Sequence, residues 1–465
     1  MRILDPLYGR VELPDFVRDI LYTPELQRLS EIRLMNVPGS TMLGATTTTR
    51  LEHALGVAHL ANVYSTANRF CDIERNNLIL GSLIHDVASF PYGHLVENIF
   101  RRFFPGSADH SHRLLVNIFN QKEDLPIYRG AVCQLYRKLY KSLALFGRAP
   151  ILSACLVLGP TAIENSPDVL YKDMLPTRTV SALHRLISGP MDLDNIDNVF
   201  RVACRFGLGC KPDLAEKLAA SFMLSGTSIR MEEGNLWLLE EWQRTRAAVY
   251  EIFLTDPDIL AMKALLTHCV EYALAKGTLH EGDWVLTDVQ LLEALLGSAD
   301  IKHEMRQILL GHELKCYFLV DCPGENAQSV VAQLAALREE LALSLSIEDT
   351  RKRKTDTVSA IEHDCGARRL YVTAEIDKGA TTRRCEVEVL TGDGGSAIRP
   401  LGTDSNRLIL SLQLPRWCRL RSPQAGHIVV SAIARRLGCA EQDITQLVTS
   451  DGWRAAAAFN GELFE

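Results

Sequence analysis

The chain has 465 residues, of which 47% are hydrophobic and 23% are charged, and its formal net charge at pH 7 is −7. This length predicts about two to four domains and leaves ample material for a buried core. The negative charge argues against broad, sequence-independent binding of nucleic acid and leaves open only a local basic groove. The sequence has no apolar run of about 18 residues, so no membrane-spanning helix and no membrane partner are predicted.

The twelve cysteines are scattered and form no CxxC pair. The first residues, Met1 to Pro6, are typical of folded sequence and not of a secretory leader. We therefore expect reduced thiols and a cytoplasmic location.

Helical spacing of apolar residues dominates the first two thirds of the chain. A first helix is predicted over 24–35, with Thr23 as its cap and Pro24 as its first residue. A Gly- and Thr-rich loop over 35–49 follows, because these residues show no helical period. Further helices are predicted over 50–71, over a segment that ends at His85-Asp86, over 94–104, 111–120 and 128–170, and from Gly189-Pro190 through to about residue 315.

The character of the sequence changes after residue 315. Strands are predicted over 315–320, 370–375, 385–390 and 408–412, with helices near 326–345 and 424–437. The predicted fold class is mainly α, with a smaller α+β C-terminal region. We place a catalytic core over 1–320 and an α+β regulatory or assembly region over 321–465.

Four side chains form a candidate metal site. The apolar residues of 78–87 recur at helical spacing, so His85 and Asp86 lie near the end of a buried helix, where both reach one ion most easily. His53 on an earlier helix and Asp194 on a later one complete a set of two nitrogens and two oxygens. That set suits iron, manganese or zinc better than magnesium. Spacing alone leaves an alternative open. In that alternative the histidines lie separately at the edge of the core and an Asp caps a helix, so that they share no ion.

Three motifs carry a family resemblance. Arg50-Leu51-Glu52-His53, His85-Asp86 followed by Pro91 and His94, and Met191-Asp192-Leu193-Asp194-Asn195-Ile196-Asp197 resemble successive motifs of HD-domain phosphohydrolases. The N-terminal segments Asp5-Pro6-Leu7-Tyr8-Gly9 and Thr23-Pro24-Glu25-Leu26-Gln27-Arg28-Leu29 resemble the branch of the deoxynucleoside triphosphate triphosphohydrolases, which includes bacterial dGTPase-like proteins. The likeness covers the catalytic core, from about residue 2 to about residue 320.

The resemblance implies roles for individual residues. His53, His85, Asp86 and Asp194 match the metal ligands, and the metal is manganese, iron or zinc, with magnesium accompanying the nucleotide as an option. Arg50 matches the arginine that meets the substrate phosphate, and His94 matches a histidine of the phosphate pocket. His110 matches the catalytic histidine. His112 is a second candidate, because Ser111 stands where the family pattern has glutamate.

Several positions near the nucleotide differ from the family pattern. After the fourth ligand, the usual Lys, Tyr and Arg-Asp are replaced by Asn195, Asn198 and Arg201-Val202, so that only the arginine is kept. Arg244, Arg246 and Tyr250 retain part of a later basic and aromatic cluster, for which a surface helix with a buried tyrosine is the alternative. Leu34 stands where the family has the Gln that reads the sugar, and Ser89 stands where it often has a second histidine. Tyr22 and Ser30 differ from the family pattern in the pocket of the nucleotide effector. The candidate substrate-binding residues are Arg50, His94, Arg201, Arg246, Tyr250, Asn195 and Asn198.

The resemblance implies hydrolysis of deoxynucleoside triphosphates to deoxynucleoside and inorganic triphosphate by a homo-oligomer that a nucleotide effector regulates. One alternative keeps the metal site for another phosphoester, such as single-stranded nucleic acid or another nucleotide. A second alternative is a nucleotide-responsive assembly module whose catalysis is incidental. The sequence does not choose between nucleotide pool balance and antiviral defence against phage as the biological role.

Overall fold

A computed structural model describes the chain over residues 1–38, 47–106, 110–114, 125–141, 157, 177–189, 191–225, 228–311, 314–323, 371–378, 385–392, 395–401, 406–415, 430–435, 438, 440–443 and 445–448. Helices dominate up to residue 310, and strands dominate the described residues after it. The predicted fold class, mainly α with a smaller α+β region towards the C-terminus, is confirmed.

The described helices are α1 (Phe16–Leu21), α2 (Pro24–Arg28), α3 (Arg50–Ala67), α4 (Asp72–Ile84), α5 (Gly93–Phe103), α6 (His110–Arg113), α7 (Leu135–Lys141), α8 (Thr177–Ile187), α9 (Leu193–Arg205), α10 (Pro212–Ser221), α11 (Leu236–Thr255), α12 (Pro257–Ala275), α13 (Asp288–Leu296) and α14 (Lys302–Leu310). Short 3₁₀ turns occupy Leu29–Glu31, Glu233–Asn235, Glu281–Val285, Ala299–Ile301 and Glu441–Asp443. Among these described helices, none combines the length and the apolar character that crossing a membrane requires.

The described strands are β1 (Arg2–Asp5), β2 (Gly9–Glu12), β3 (Pro126–Tyr128), β4 (Ala131–Val132), β5 (Phe222–Ser225), β6 (Ser228–Glu232), β7 (Leu314–Pro323), β8 (Tyr371–Lys378), β9 (Cys385–Leu390), β10 (Ser396–Leu401), β11 (Asn406–Pro415) and β12 (Thr445–Val448). Two pairs, β1–β2 and β3–β4, are antiparallel. A four-stranded sheet has the order β10-β9-β6-β5, in which β6 and β9 run parallel. A second four-stranded sheet has the order β12-β7-β11-β8 and is antiparallel throughout.

The predicted strands over 315–320, 370–375, 385–390 and 408–412 are confirmed as β7, β8, β9 and β11. The predicted helix over 24–35 is too long, because the chain becomes extended at Ile32 and pairs with the residues before α3 through Leu34 N–H to Thr48 O. A helix throughout 128–170 is also wrong, since the β3–β4 hairpin extends to residue 132. The predicted helix near 326–345 lies outside the described residues, whereas 430–435 are helical as expected.

Residue contacts divide the chain into two compact units that are discontinuous in sequence. The first comprises Met1–Val249, Val270–Ile301 and Thr382–Thr403, and the second comprises Tyr250–Cys269, Lys302–Thr381 and Asp404–Glu465. The first unit contains all the candidate metal ligands. The boundary that we place after residue 320 stays a prediction.

The centre of the first unit is built around α3 and α4. Residues 77–84 of α4 are all buried, and the apolar side chains among them are Leu78, Ile79, Leu80, Leu83 and Ile84. Such all-round burial is typical of a helix in the middle of a core, and each of these side chains contributes about 2 kcal/mol on burial. α3 packs against α4, α9 and α10. The candidate site residues at the ends of α4 and α9 are therefore held by a rigid core.

A buried carboxylate ties α13 to two loops next to the site. Asp288, the first residue of α13, accepts hydrogen bonds from the Arg33 N–H (2.9 Å) and the Tyr92 N–H (2.8 Å). Tyr92 has a φ of 52°, a left-handed conformation that this contact helps to hold. Burial raises the pKa of Asp288 to about 6, although the two backbone hydrogen bonds oppose that rise.

We expect Asp288 to make the protein less stable as the pH rises from about 4 to about 6. Its pKa is higher in the folded chain than the value of about 4 in the unfolded chain, so the folded state holds the proton over this range. This stabilising contribution of about 3 kcal/mol is fully present below about pH 4. It is lost as the pH rises past the folded pKa of about 6. Urea unfolding at several pH values should show this slope in the wild type and not in Asp288→Asn. An equal slope in both proteins would refute it.

Candidate metal centre

The first helix of the site begins with a reciprocal cap. Thr49 accepts a hydrogen bond from the Glu52 N–H, and the Glu52 side chain accepts one from the Thr49 N–H. This capping box fixes where α3 starts. It places Arg50 in the first turn and His53 one turn later, on the same face of the helix.

The second helix contributes its last turn and the residues after it. His85 follows the end of α4, and its Nδ1 is hydrogen-bonded to Ser82 O at 2.7 Å, which leaves Nε2 to point elsewhere. Both oxygens of the Asp86 side chain are engaged, Oδ1 by the Ser89 hydroxyl (2.9 Å) and Oδ2 by Arg50 Nη1 (2.7 Å). Ser89, the position where the family pattern often has histidine, thus orients Asp86.

The third helix, α9, is capped by Asp192, whose side chain accepts a hydrogen bond from the Asn195 N–H. The cap places Asp194 in the first turn. Its Oδ1 lies 2.8 Å from His53 Nε2 and 3.8 Å from His85 Nε2. Asp194 remains 35% exposed, so the centre opens to solvent on this side.

The structure brings the four predicted metal ligands together. His53, His85 and Asp86 offer ligand atoms that all lie within 4.8 Å of one another, and Asp194 contacts both histidines. His85 Nε2 is buried and has no hydrogen-bond partner within the described residues. A buried ring nitrogen without a partner, facing two carboxylates, fits a divalent ion of borderline softness.

The electrostatics of the centre also favour a cation. Burial alone would raise the pKa of Asp86, but the charges of Arg50 and the neighbouring histidines outweigh it and hold that pKa well below its usual range. Burial alone would lower the pKa of His53, but the carboxylates of Asp194 and Asp197 outweigh it and raise that pKa to about 10. His53 Nε2 therefore lies where positive charge is strongly stabilised.

Arg50 is buried beside the centre. Besides its ion pair with Asp86, its Nη2 contacts Asn36 Oδ1 at 3.4 Å. Gly93, with a φ of 53°, lies against both side chains, and a Cβ at this position would overlap Arg50 Nη2 and Asn36 Oδ1. Glycine is thus required here both by conformation and by space.

His94 forms a dyad with a buried carboxylate. Its side chain is 75% exposed, and its Nδ1 lies 2.9 Å from Glu97 Oε2, one turn later on α5. Glu97 Oε1 accepts a hydrogen bond from Arg113 Nη2 at 3.2 Å. Burial would raise the pKa of Glu97, but the hydrogen bond from His94 and the charges of His94 and Arg113 lower it to about 2. Glu97 is therefore anionic at neutral pH and orients the His94 ring, leaving Nε2 accessible.

His110, the predicted catalytic histidine, has a different environment. Its Nε2 is buried and has no hydrogen-bond partner among the described residues. Burial, and then the charge of Arg113, lower the pKa of His110 to about 4. The ring is neutral near pH 7 and is better suited to donating or accepting one hydrogen bond than to carrying a proton. His112 lies on the same helix, and its side chain lies outside the described part of the structure.

The predicted substrate-binding residues occupy different places. Arg201 is 1% exposed and forms ion pairs with Asp197 and Asp5, which favours a positioning role behind His53 over the predicted contact with substrate. Asn195 Oδ1 accepts a hydrogen bond from Arg246 Nη1 at 2.9 Å, immediately next to Asp194. Asn198 is half-buried on α9.

The remaining positions that differ from the family pattern have surroundings of their own. The Tyr250 ring packs against Phe253 at 6.1 Å, and Leu34 is half-buried. In the predicted effector pocket, Tyr22 is exposed, and the Ser30 hydroxyl donates to Gln27 O at 2.6 Å. Both side chains at these two effector positions, Tyr22 and Ser30, are uncharged.

Two cysteines contradict the expectation of reduced thiols. Cys204, at the end of α9, is bonded to Cys210 before α10. The connecting residues include Gly207 and Gly209, whose φ values of 75° and 105° turn the chain back sharply enough to bring the two together. Within the described residues Cys71, Cys133, Cys269 and Cys385 form no disulfide, in agreement with the expectation of reduced thiols.

Three site residues were not predicted from sequence, namely Asn36, Glu97 and Asp197. Glu97 and Asp197 lie three residues after His94 and Asp194, and this i, i+3 spacing on a helix could have identified them. Asn36 lies in the loop predicted over 35–49, which has no helical period, so the sequence gives no sign of its contact with Arg50.

We expect Gly56→Ala to destabilise the protein, because a Cβ at this position of α3 would overlap Asp197 Oδ1 and Arg201 Nη2. Overpacking and a displaced buried ion pair together predict a loss of about 3 kcal/mol in the free energy of unfolding. Alanine has the higher helix propensity, so the sign of the change separates packing from propensity. Gly234→Ala, where a Cβ meets nothing within 4 Å, is the control in urea unfolding. Equal stability of the two variants would contradict this prediction.

The chain is similar to several known proteins over parts of its length. It is 27% identical over 103 residues to a deoxynucleoside triphosphate triphosphohydrolase SAMHD1 homolog of Dictyostelium discoideum, covering 21% of this chain and 20% of that protein. It is 31% identical over 110 residues to the human deoxynucleoside triphosphate triphosphohydrolase SAMHD1, covering 22% and 17%. It is 23% identical over 289 residues to the uncharacterized Bacillus subtilis protein YwfO, covering 61% and 57%. The matches thus span about a fifth of the two triphosphohydrolases and just over half of YwfO. No family model matches the sequence.

Two solved structures share the fold over nearly the whole chain. A hypothetical protein from Aquifex aeolicus has a TM-score of 0.59 at 14% identity, covering 93% of this chain and 99% of that one. A phosphohydrolase from Bacteroides thetaiotaomicron has a TM-score of 0.56 at 16% identity, covering 90% and 100%. These two structures show the fold of this chain, two of the partial sequence matches are to deoxynucleoside triphosphate triphosphohydrolases, and the group of His53, His85 and Asp86 could hold a metal ion.

Proposed function

We propose that this protein is a metal-dependent hydrolase that splits deoxynucleoside triphosphates into deoxynucleoside and inorganic triphosphate. The observation that carries the proposal is the convergence of His53, His85, Asp86 and Asp194 beside the buried Arg50. The partial sequence matches to two deoxynucleoside triphosphate triphosphohydrolases support this substrate class.

The ligand set would hold a divalent ion, either manganese, iron or zinc. When bound, such an ion lowers the pKa of a coordinated water and polarises the phosphoryl oxygen. Arg50 neutralises negative charge on the phosphate with the part of its guanidinium that Asp86 does not occupy. Magnesium would accompany the triphosphate.

The geometry favours His94 as the proton donor to the leaving 5′-oxygen. Its Nδ1 is anchored by anionic Glu97, and its exposed Nε2 is accessible to a bound nucleotide. A histidine oriented by a carboxylate is suited to general acid catalysis. We assign His110, which is neutral, to a hydrogen bond with a phosphate oxygen.

The proposal is tested by product analysis with every deoxynucleoside and ribonucleoside triphosphate, singly and in pairs, in manganese, iron or zinc. We expect inorganic triphosphate and deoxynucleoside from at least one deoxynucleotide. Pairs are included because one nucleotide can activate hydrolysis of another, and light scattering on the same samples tests the proposed homo-oligomer. If no mixture releases triphosphate, the proposed reaction is wrong.

A second candidate retains the metal centre for a different phosphoester, such as a single-stranded nucleic acid or a nucleoside monophosphate. The neutral Asn195, held by Arg246 where the family pattern has lysine, favours this candidate, as does Leu34 at the sugar-reading position. Hydrolysis of a labelled oligonucleotide, without release of triphosphate from any nucleotide, would select it.

A further inference from the structure

A buried hydrogen-bond network lies behind His53. Asp197 Oδ2 is 2.7 Å from His53 Nδ1, on the side of the ring that faces away from Asp194. Asp197 is fully buried, and Arg201 donates to both of its oxygens at 2.9 Å. The Tyr8 hydroxyl donates to Asp197 Oδ1, also at 2.9 Å. Tyr8 and Arg201 thus fix the Asp197 carboxylate, which in turn is hydrogen-bonded to His53.

The same network fixes the N-terminal turn that presents Tyr8. Asp5 Oδ1 accepts hydrogen bonds from the Leu7 N–H (2.8 Å) and the Tyr8 N–H (3.0 Å). Asp5 Oδ2 accepts a hydrogen bond from Arg201 Nη2 at 3.0 Å. The turn between β1 and β2 and the helix α9 therefore share one arginine, and the position of the Tyr8 hydroxyl follows from both.

The contact between Asp197 and His53 Nδ1 affects how His53 could bind a metal, because an imidazole binds a metal through its unprotonated nitrogen. A carboxylate at Nδ1 keeps the proton on that nitrogen, so that the lone pair of a neutral ring is on Nε2. His53 Nε2 is the atom that faces Asp194 and the other ligands. The orientation of the Asp197 carboxylate thereby sets both the tautomer and the angle of the ring.

We propose that Tyr8, through Asp197, is a positioning residue for the metal ligand His53, and that the N-terminal turn Asp5–Tyr8 is part of the metal centre. The inference rests on the proposed metal-dependent function. Tyr8 touches neither the ligand atoms nor the space between them; it acts on the ion only by fixing the carboxylate that fixes the ring.

The test is the affinity and the visible absorption spectrum of Co²⁺ bound to the full-length protein, with Tyr8→Phe as the variant. Phenylalanine keeps the ring, which packs against His59 at 4.9 Å, and removes only the hydroxyl. Loss of an outer-shell partner predicts about a 10-fold weaker affinity and a changed d–d spectrum, and Asp197→Asn predicts about a 100-fold loss. Tyr64→Phe is the matched control, because Tyr64 is a buried tyrosine whose hydroxyl accepts a hydrogen bond from the Leu224 N–H away from the centre.

Tyr8→Phe with the affinity and spectrum of the wild type would overturn the inference and leave the proposed function intact. A wild-type protein that binds no Co²⁺, manganese, iron or zinc would instead overturn the proposed function. If Tyr8→Phe does not fold, Asp5→Asn gives the same readout, since it keeps the acceptor of the turn and removes the charge that holds Arg201. Wild-type affinity in that variant would likewise refute the role of the turn.

Discussion

Replacement of His85 or Asp86 by alanine is expected to abolish metal binding and hydrolysis together. Each substitution removes one ligand, and loss of Asp86 also leaves the buried Arg50 without its ion-pair partner. Because a bound metal contributes several kcal/mol to transition-state stabilisation, the rate should fall on the order of 10³-fold or more. Metal content after dialysis, measured by mass spectrometry, and released triphosphate are the two readouts.

His303→Ala is the control for these variants, since His303 is a half-buried histidine that contacts Gln307 and is none of the candidate site residues. It should keep both the metal and the rate. A His85→Ala protein with full activity and one ion per chain would show that the metal centre lies elsewhere.

His94→Gln is expected to lower kcat by about 10²- to 10³-fold without loss of metal, because glutamine retains a polar group but cannot deliver a proton. Glu97→Gln should give a smaller loss of kcat, because His94 is unchanged and only the negative charge of Glu97, which orients the His94 ring, is removed. Both variants should retain wild-type metal content, which separates proton transfer from ligation.

The matched variant His110→Gln distinguishes the two histidines. His110 is neutral near pH 7, and we assign it one hydrogen bond, to a phosphate oxygen. Glutamine can make that hydrogen bond instead, so we expect at most about a 10-fold loss of kcat. The reverse result, a full loss in His110→Gln with an active His94→Gln, would assign proton donation to His110 as the sequence resemblance implies.

Local sequence patterns predicted much of this molecule. The apolar run of α4 predicted that His85 and Asp86 lie at the end of a buried helix, and the helix predicted from residue 50 begins there as α3. The hairpin of β5 and β6 was missed because strands of four and five residues interrupt a helical stretch, and because Ile229 of β6 pairs with Val387 of β9, 158 residues later. A window of 11–18 residues contains no trace of that pairing.

The placement of Arg201 shows a second limit. Its motif is typical of a residue near the nucleotide, yet its guanidinium is bound to Asp197 and Asp5. Whether an arginine on α9 faces the substrate or the back of His53 depends on the residue that meets it from the N-terminus, 196 positions away in sequence. Helix periodicity predicts which residues of α9 share a face. It does not predict which residue of another segment contacts that face.

The long sequence separation within the centre has a consequence for its assembly on the ribosome. Arg50, His53, His85 and Asp86 are synthesised close together, whereas Asp194, Asp197 and Arg201 follow about a hundred residues later, which corresponds to roughly 5 to 20 s of translation. Until α9 emerges, His53 lacks its partners Asp194 and Asp197, and the Tyr8 hydroxyl lacks its acceptor Asp197. On the proposed function, the nascent chain offers an ion only part of the ligand set, and we expect tight metal binding only after α9 has been translated.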